Sequence, residues 1–447
     1  MIAPQDERFF AAARTALPTW QPFEVEGRVR AIVGLLIEAE GLRAPLGAFC
    51  EILTGDDRMP VQSEVVGLRQ DVTLLMPLGD LRGTRAGDPV RPRQSVDGTP
   101  SGPGCLGRVI DGLGRPIDGR GALTDVTWRS IEAEPTEAVT RARISEPLDL
   151  GLRALNSFVT IGQGMRMGIF AGSGVGKSTL LGQLASQADV DVSVIALIGE
   201  RRREVREFIE RDLGDALARS VVVVSTSDEP ASMRTRAARV ATAIAEGYRD
   251  EGKRVLLMMD SLTRFCTAQR EIGLATGEPP TTRGYTPSVW STLPKLLERA
   301  GTTAGTGSIT GLYTVLVEGD DMNEPVADAA RSLLDGHLEL SRRIAERGRY
   351  PAIDVLSSIS RVMPDVTTPE HQQLARQARQ TLAVYRDAED LISVGAYQAG
   401  TDPAIDRARE LAPQIEAYLA QPRGEVVKID DGVARLTALM QGQGAAG

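Results

Sequence analysis

The sequence predicts an α/β fold: a mostly parallel sheet covered by helices, with a small β-barrel before it and a helical region after it. Three observations carry this reading. Apolar strand-like runs alternate with helical patterns from about residue 122 to 365. Short β-branched segments punctuated by Gly, Asp and Pro fill residues 23–92. Helical patterning then dominates from residue 366 onward. The 447 residues are enough for several cores. The expected division is a terminal contact segment (1–22), a barrel (23–92), an α/β domain (93–365) and a helical domain (366–447).

The elements follow in order. Phe9, Phe10, Ala13 and Leu17 recur at helical spacing, and Pro18 and Pro22 limit that helix. It reads as a docking helix for a partner or as a frayed terminus. Next, "EVEGRVRAIVGLLIEAEG", "GAFCEIL", "VQSEVVGLRQDVTLLMPL" and "DPVRP" predict about six strands, with period-2 alternation in "GRVRAIVG". Arg91 to Gly121 is rich in Gly and Pro and reads as turns and a linker. The clearest apolar strands are "MGIF", "VSVIALIG" (Val192–Gly199), "SVVVVS" (Ser220–Ser225), "RVLLMMD" (Arg254–Asp260) and "SITGLYTVLV" (Ser308–Val317). The Gly/Thr-rich "ERAGTTAGTGS" (Glu298–Ser308) reads as a mobile loop. The chain ends in three helical stretches, the last being "GVARLTALM".

Composition removes several functions. The net charge is -9 and the pI about 5.1, which disfavours a general nucleic-acid binder. Aromatic residues are 4%, so platforms for stacking single strands are scarce. Cys50, Cys105 and Cys266 lie far apart without metal-ligand spacing, and His337 and His371 do not complete a zinc site. Buried thiols in a reducing, cytoplasmic setting are expected. No apolar run approaches the roughly 18–20 residues of a membrane helix. The first residues lack the pattern of a signal peptide.

The chemistry is concentrated in "AGSGVGKST", Ala171–Thr179, between an apolar strand and a helix. It fits the phosphate-loop pattern with Ala in place of the first Gly. Glycines in such a loop turn main-chain N–H groups toward phosphate oxygens, and the following helix presents its positive end. Gly172, Ser173, Gly174, Val175, Gly176, Lys177, Ser178 and Thr179 are therefore assigned to nucleotide phosphate. Lys177 reaches the β- and γ-phosphates, and the Ser178 hydroxyl ligates Mg²⁺. Parallel sheets gather function at the C-terminal ends of their strands. Asp260 ends one such strand and suits a second Mg²⁺ contact through water. Glu200 follows another and suits a base for the attacking water, or a salt bridge to Arg201–Arg203. Among many arginines, Arg361 at the end of "DVLSSISRVM" is one candidate for the charge that stabilises transferring phosphate.

Beyond the loop, "ALIGERRREV", "LLMMDSLTRF", "GEPPTTRGYTPSVW", "GRYPAIDVLSSISRV" and "LISVGAYQAGTDPAID" resemble, in order, the rotary-type (F/V-type-like) ATPases. The likeness is greatest to the type III protein export ATPases and, among these, to their flagellar branch. It spans about residues 23–435. It implies an N-terminal β-barrel, a RecA-like P-loop ATPase core, a C-terminal helical domain and a homo-hexamer with ATP sites between subunits. Carried over, Lys177 and Ser178 bind phosphate and Mg²⁺, Glu200 is the catalytic carboxylate and Asp260 the acid of the apolar strand. Arg361 becomes a finger reaching the neighbour's site, Tyr350 stacks on adenine, and Arg264 sits near the phosphates. The implied partners are a peripheral negative regulator docking on residues 1–22, a coiled-coil stalk, export chaperones, flagellar export substrates and a membrane export gate. The implied location is the inner face of the cell membrane.

Rival readings are a virulence injectisome ATPase, the synthase catalytic subunit, a hexameric RNA helicase and a non-catalytic ring subunit. "EGDDMNEPVADAARSLLDGHLELSRR" leans toward export ATPases over the synthase. A helicase needs a basic, aromatic barrel, yet residues 23–92 hold two aromatics, Phe23 and Phe49. A scaffold subunit would be expected to lack Glu200.

Overall fold

The computed structural model describes residues 26–54, 59–93, 98–134, 136–137, 139–317, 319 and 321–442. The contact segment expected at residues 1–22 lies outside them. The chain divides into two compact units, one up to residue 95 and one from residue 96.

The first unit is a closed six-stranded antiparallel barrel. Its strands are β1 (Gly27–Val33), β2 (Leu36–Glu40), β3 (Phe49–Ile52), β4 (Val61–Arg69), β5 (Val72–Pro77) and β6 (Pro89–Pro92). Their order is β1-β2-β5-β4-β3-β6, with β6 pairing back onto β1. The alternation in "GRVR" does what it predicts: Gly27 and Val29 are buried, Arg28 and Arg30 exposed. Val29, Ile37, Ile52, Val65, Leu75 and Val90 fill the interior. Bulges at Val29/Ala31 and Val65/Gly67 bend the strands, as closure of a small barrel requires.

The second unit opens with a ribbon of β7 (Gly98–Ser101) and β9 (Thr127–Ser130), and between them lies β8 (Arg108–Asp111). The main sheet adds β10 (Arg166–Ala171), β11 (Val192–Glu200), β12 (Ser220–Thr226), β13 (Arg254–Asp260), β15 (Ser308–Leu316), β16 (Gly336–Leu340) and β17 (Ile359–Ser360). Its order is β17-β16-β10-β15-β13-β11-β12-β8. All neighbours along this path are parallel except β16 and β17. The short strand β14 (Gly301–Thr302) pairs antiparallel with β15.

Two expectations change here. The Gly/Pro-rich stretch 91–121 is not simply a linker, because its "RVID" forms β8, the edge of the main sheet. Four residues between glycine turns carry too short an apolar signal to register as a strand. Likewise Gly301–Thr302, inside the segment expected to be a loop, holds a ladder to β15.

Helices cover both faces. On one lie α1 (Arg153–Phe158), α2 (Lys177–Gln187) and the C-terminal helices α10 (Pro369–Ser393), α11 (Pro403–Leu419) and α12 (Ile429–Met440). On the other lie α4 (Ala231–Asp250), α5 (Leu262–Thr276), α6 (Pro287–Leu297) and α7 (Pro325–Leu333). Three further short α-helices are α3 (Arg202–Glu207), α8 (Arg342–Glu346) and α9 (Met363–Val366). The strands serve both faces by alternation. Ile195 and Leu197 of β11 pack toward α2, while Val194, Ala196 and Ile198 pack toward α4. Ala237, Ala238, Ala241 and Ala245 let α4 lie close on the sheet. Ala378, Leu382, Leu411, Ile415 and Leu436 bring the C-terminal helices into the same core as α2. Cys50, Cys105 and Cys266 are buried free thiols. Among the described residues no helix is long and apolar enough to cross a membrane.

Candidate active site

The site begins where β10 stops. After Ala171 the chain turns through Gly172–Gly176 and enters α2 at Lys177. Gly174 (φ 79°) and Gly176 (φ 88°) adopt the left-handed backbone that the turn needs. A Cβ on Gly176 would also sit 3.3 Å from the Tyr350 ring. Val175 is buried and pins the loop to the core. The exposed Ser178 lies in the first turn of α2.

The sheet order then does the assembly. β15, β13 and β11 run parallel beside β10, so their C-terminal ends share its edge. Lys177 Nζ lies 2.5 Å from Asp260 Oδ1 at the end of β13, and 3.8 Å from Glu200 Oε1 at the end of β11. Glu200 is the last residue of its strand, one position further than the apolar pattern alone marks. Thr314 Oγ1 of β15 donates to the same Asp260 oxygen at 2.6 Å and fixes the carboxylate. Arg264 lies across Gly199 (φ 69°), where a Cβ would come 3.0 Å from its Cδ. A side chain at residue 199 would displace Arg264 from beside Lys177 and Glu200.

Electrostatics set the protonation states. Burial, and then the charge of Asp260, push the Glu200 carboxyl up to about 7, against the opposing pull of Lys177. Burial acts to lower the pKa of Lys177, but Asp260 and Glu200 outweigh it and the ammonium is held above its usual range. The group therefore pairs a firmly charged lysine with a carboxyl poised to lose its proton near neutrality.

A cavity of about 360 Å³ adjoins the loop, bordered by Gly176, Thr179, Gln183, Tyr350, Gln421 and Arg423. Tyr350 is 47% exposed and forms one wall. Arg361 is elsewhere. It follows β17, at the far side of β16 from β10, and is exposed. Its Nη1 and Nη2 donate to the carbonyls of Leu334 and Arg331 at the end of α7, at 3.1 and 3.2 Å. Within one chain, Lys177, Glu200, Asp260 and Arg264 come together, Tyr350 flanks the loop, and Arg361 stays apart. Sequence reasoning missed Thr314, Gln421 and Arg423. Thr314 lies mid-strand in an apolar run, and "AQPRGE" after a helix carries no motif.

Comparison with known proteins agrees with the fold. Residues 151–360 match the model of the ATP synthase alpha/beta family, nucleotide-binding domain, and residues 29–93 match the beta-barrel domain of the same family. Residues 367–438 match the T3SS EscN ATPase C-terminal domain. The flagellum-specific ATP synthase of Pseudomonas aeruginosa is 50% identical over 422 residues, 94% of each chain. This chain belongs to the ATP synthase alpha/beta family. Its C-terminal match puts it among the type III export ATPases, and it is an ATP-hydrolysing enzyme. The SPI-2 type 3 secretion system ATPase of Salmonella typhimurium is also 50% identical, covering 90% of this chain. Flagellum-specific ATP synthases stand among the most similar relatives, at 48% to 50% identity, and so favour the flagellar branch. The assembled ATPase EscN of the enteropathogenic E. coli type III secretion system superposes with a TM-score of 0.87 at 42% identity, covering 93% of this ATPase and 100% of EscN. A second EscN structure, in complex with its central stalk EscO, gives a TM-score of 0.85 at the same identity and coverage.

Proposed function

We propose that this ATPase works as a Mg²⁺-dependent homo-hexameric motor that energises type III protein export for flagellum assembly. The observation that carries the reading is Lys177 held between Asp260 and Glu200 at the mouth of a phosphate loop. The two carboxylates hold the lysine at the loop, where phosphate oxygens of a bound nucleotide would compete for it. Gly172 to Thr179 cradle the phosphates, and Tyr350 stacks on the base. Glu200 orients a water and accepts its proton as the water oxygen attacks the γ-phosphorus and the bond to the ADP oxygen breaks.

The donor set suits Mg²⁺. This ion takes oxygen ligands, commonly one or two carboxylates plus substrate phosphates. The exposed Ser178 hydroxyl would hold it directly, and Asp260 through water. It would supply neutralising charge at the phosphates.

Arg361 supports a shared site. Its exposed position away from Lys177 suits a side chain that completes the neighbour's centre, as a finger does. A ring of identical chains would supply both halves at every interface. Because the EscN structures are of an assembled ATPase and of its complex with a central stalk, we extend an assembly and a coiled-coil stalk to this chain. A peripheral regulator, export chaperones, flagellar substrates and a membrane export gate complete the proposal, with the ring bound peripherally to the inner face of the membrane.

The test is capture from native cells with a Glu200→Gln chain, which should bind ATP, stay assembled and retain its partners. Rod, hook or filament proteins in the captured set are the expected result. Needle or effector proteins would move the ATPase to an injectisome.

A further inference from the structure

We propose that Gln421 is a positioning residue for the nucleotide base, holding the turn after α11, and through its main chain Tyr350, against the start of α1. The proposal rests on the reading of Tyr350 as the base contact.

Gln421 borders the cavity yet is 3% exposed. Its main-chain N–H donates to the carbonyl of Tyr350 at 2.9 Å. Its side-chain oxygen accepts the Arg153 N–H at 2.8 Å. Its Nε2 donates to the carbonyls of Gly151 at 2.8 Å and Glu425 at 2.7 Å. The amide faces one N–H with its oxygen and two carbonyls with its nitrogen, so flipping it would set like groups against like. The side chain thus ties residues 151–153 to residue 425, and the main chain of the same residue ties both to Tyr350.

The surroundings extend that brace to the phosphate side. Gln187, in the last turn of α2, donates to the Glu425 carbonyl at 3.2 Å, and Lys177 begins the same helix. Arg153 Nη2 donates to the Ala420 carbonyl at 2.8 Å and pairs with Glu425 at 2.9 Å. The wall that meets the base and the helix that meets the phosphates are therefore tied to one another. Tyr350's ring is half exposed, so its main chain must be held for the ring to wait in place. Preorganisation of this kind shows in affinity for the whole nucleotide. It leaves the chemistry at Glu200 alone, so KM should rise while kcat stays within about twofold.

The experiment is a double-mutant cycle on the full-length ATPase, reading Mg-ADP affinity by calorimetry and kcat and KM for ATP, with a nucleotide-free melt as the check on folding. Gln421→Ala should weaken ADP about tenfold, since the buried Arg153 N–H loses its acceptor and the Gly151 and Glu425 carbonyls each lose one of two donors. Gln421→Met, which fills the same space but can neither accept from Arg153 nor donate to the two carbonyls, should weaken ADP by a similar factor and serves if the alanine chain is not folded. Tyr350→Ala should weaken ADP as well, and the double variant should bind no worse than Tyr350→Ala. Additive losses, unchanged affinity in both Gln421 variants, or a fall in kcat larger than the rise in KM would overturn the positioning role while leaving Tyr350 as the base contact. Unchanged affinity in Tyr350→Ala would remove the base contact itself, and the positioning role with it.

Discussion

The phosphate end of the nucleotide site and its proposed base end are built in opposite ways. The phosphate end is one continuous turn plus two strand ends that the parallel sheet brings to its edge. The base end joins Tyr350, which follows α8, to the turn after α11, seventy residues later in the chain. One is a local motif with fixed chemistry. The other is a tertiary contact, held by a buried amide that carries no motif. The difference teaches where function is encoded locally and where it depends on the fold closing correctly. Substitutions at the two ends should accordingly separate into losses of rate and losses of affinity.

The largest loss is expected at Arg361, which is proposed to complete the site of a neighbouring copy. Arg361→Ala should lower kcat by roughly 10³–10⁵ with little change in nucleotide affinity. Steady-state turnover beside ADP calorimetry checks this. Mixed rings of Arg361→Ala and Glu200→Gln chains should regain part of the activity, because some interfaces then hold an intact Glu200 opposite an intact Arg361. Rings proven to be mixed that stay inactive would place Arg361 outside the neighbour's site. Glu200→Gln alone should cost roughly 10²–10⁴ in kcat. In the native chain, kcat/KM should fall as pH drops below about 7, because the carboxyl that must accept a proton is then already protonated. A pH–rate profile that stays flat from pH 8 to 6 would show that Glu200 is not the base.

At the base end the effect is smaller. Tyr350→Ala should raise KM for ATP by about tenfold to a hundredfold, the size of a lost base–aromatic stack, with kcat nearly constant. Tyr350→Phe should stay close to the native values, since the stack needs the ring and not the hydroxyl. A large fall in kcat on Tyr350→Ala would mean that the two ends are not separable.

The same contrast explains what the sequence revealed. Buried parallel strands are apolar along their whole length, so "VSVIALIG" and "RVLLMMD" were legible, and their final acids with them. The barrel was legible as strands by alternation, as in "GRVR". Its closed order was not, because β6 meets β1 across the length of the unit. β8 was lost because four residues among glycines carry almost no pattern. Thr314 escaped because a hydroxyl in the middle of an apolar strand declares no partner until β13 lies beside it. Gln421 and Arg423 escaped for a related reason. Arg423 is spent on buried Asp212 at 3.0 Å, a contact to the segment packed on α2 that nothing near residue 423 announces. Arg361 was one candidate among many arginines until the resemblance singled it out, and its place at the end of β17, away from Lys177, is what the proposed second copy would explain.

The smallest effect decides which force governs Glu200. Its carboxyl, normally titrating at 4.5, is pushed up to about 7 by burial and by Asp260, while Lys177 pulls the other way. If burial and Asp260 prevail, the folded chain keeps a proton between pH 4.5 and 7 that the unfolded chain gives up. The stabilisation from that neutral carboxyl is then complete below pH 4.5 and disappears as pH rises through 7. Glutamine is neutral at every pH and cannot lose it. The nucleotide-free Glu200→Gln chain should therefore melt a few degrees above the native chain at pH 8 and together with it at pH 4.5. If Lys177 prevails instead, Glu200 is ionised and paired in the free chain. The native chain would then be the more stable one at pH 8, and the proton of the attacking water would meet a carboxylate already committed to the lysine until phosphate draws Lys177 away.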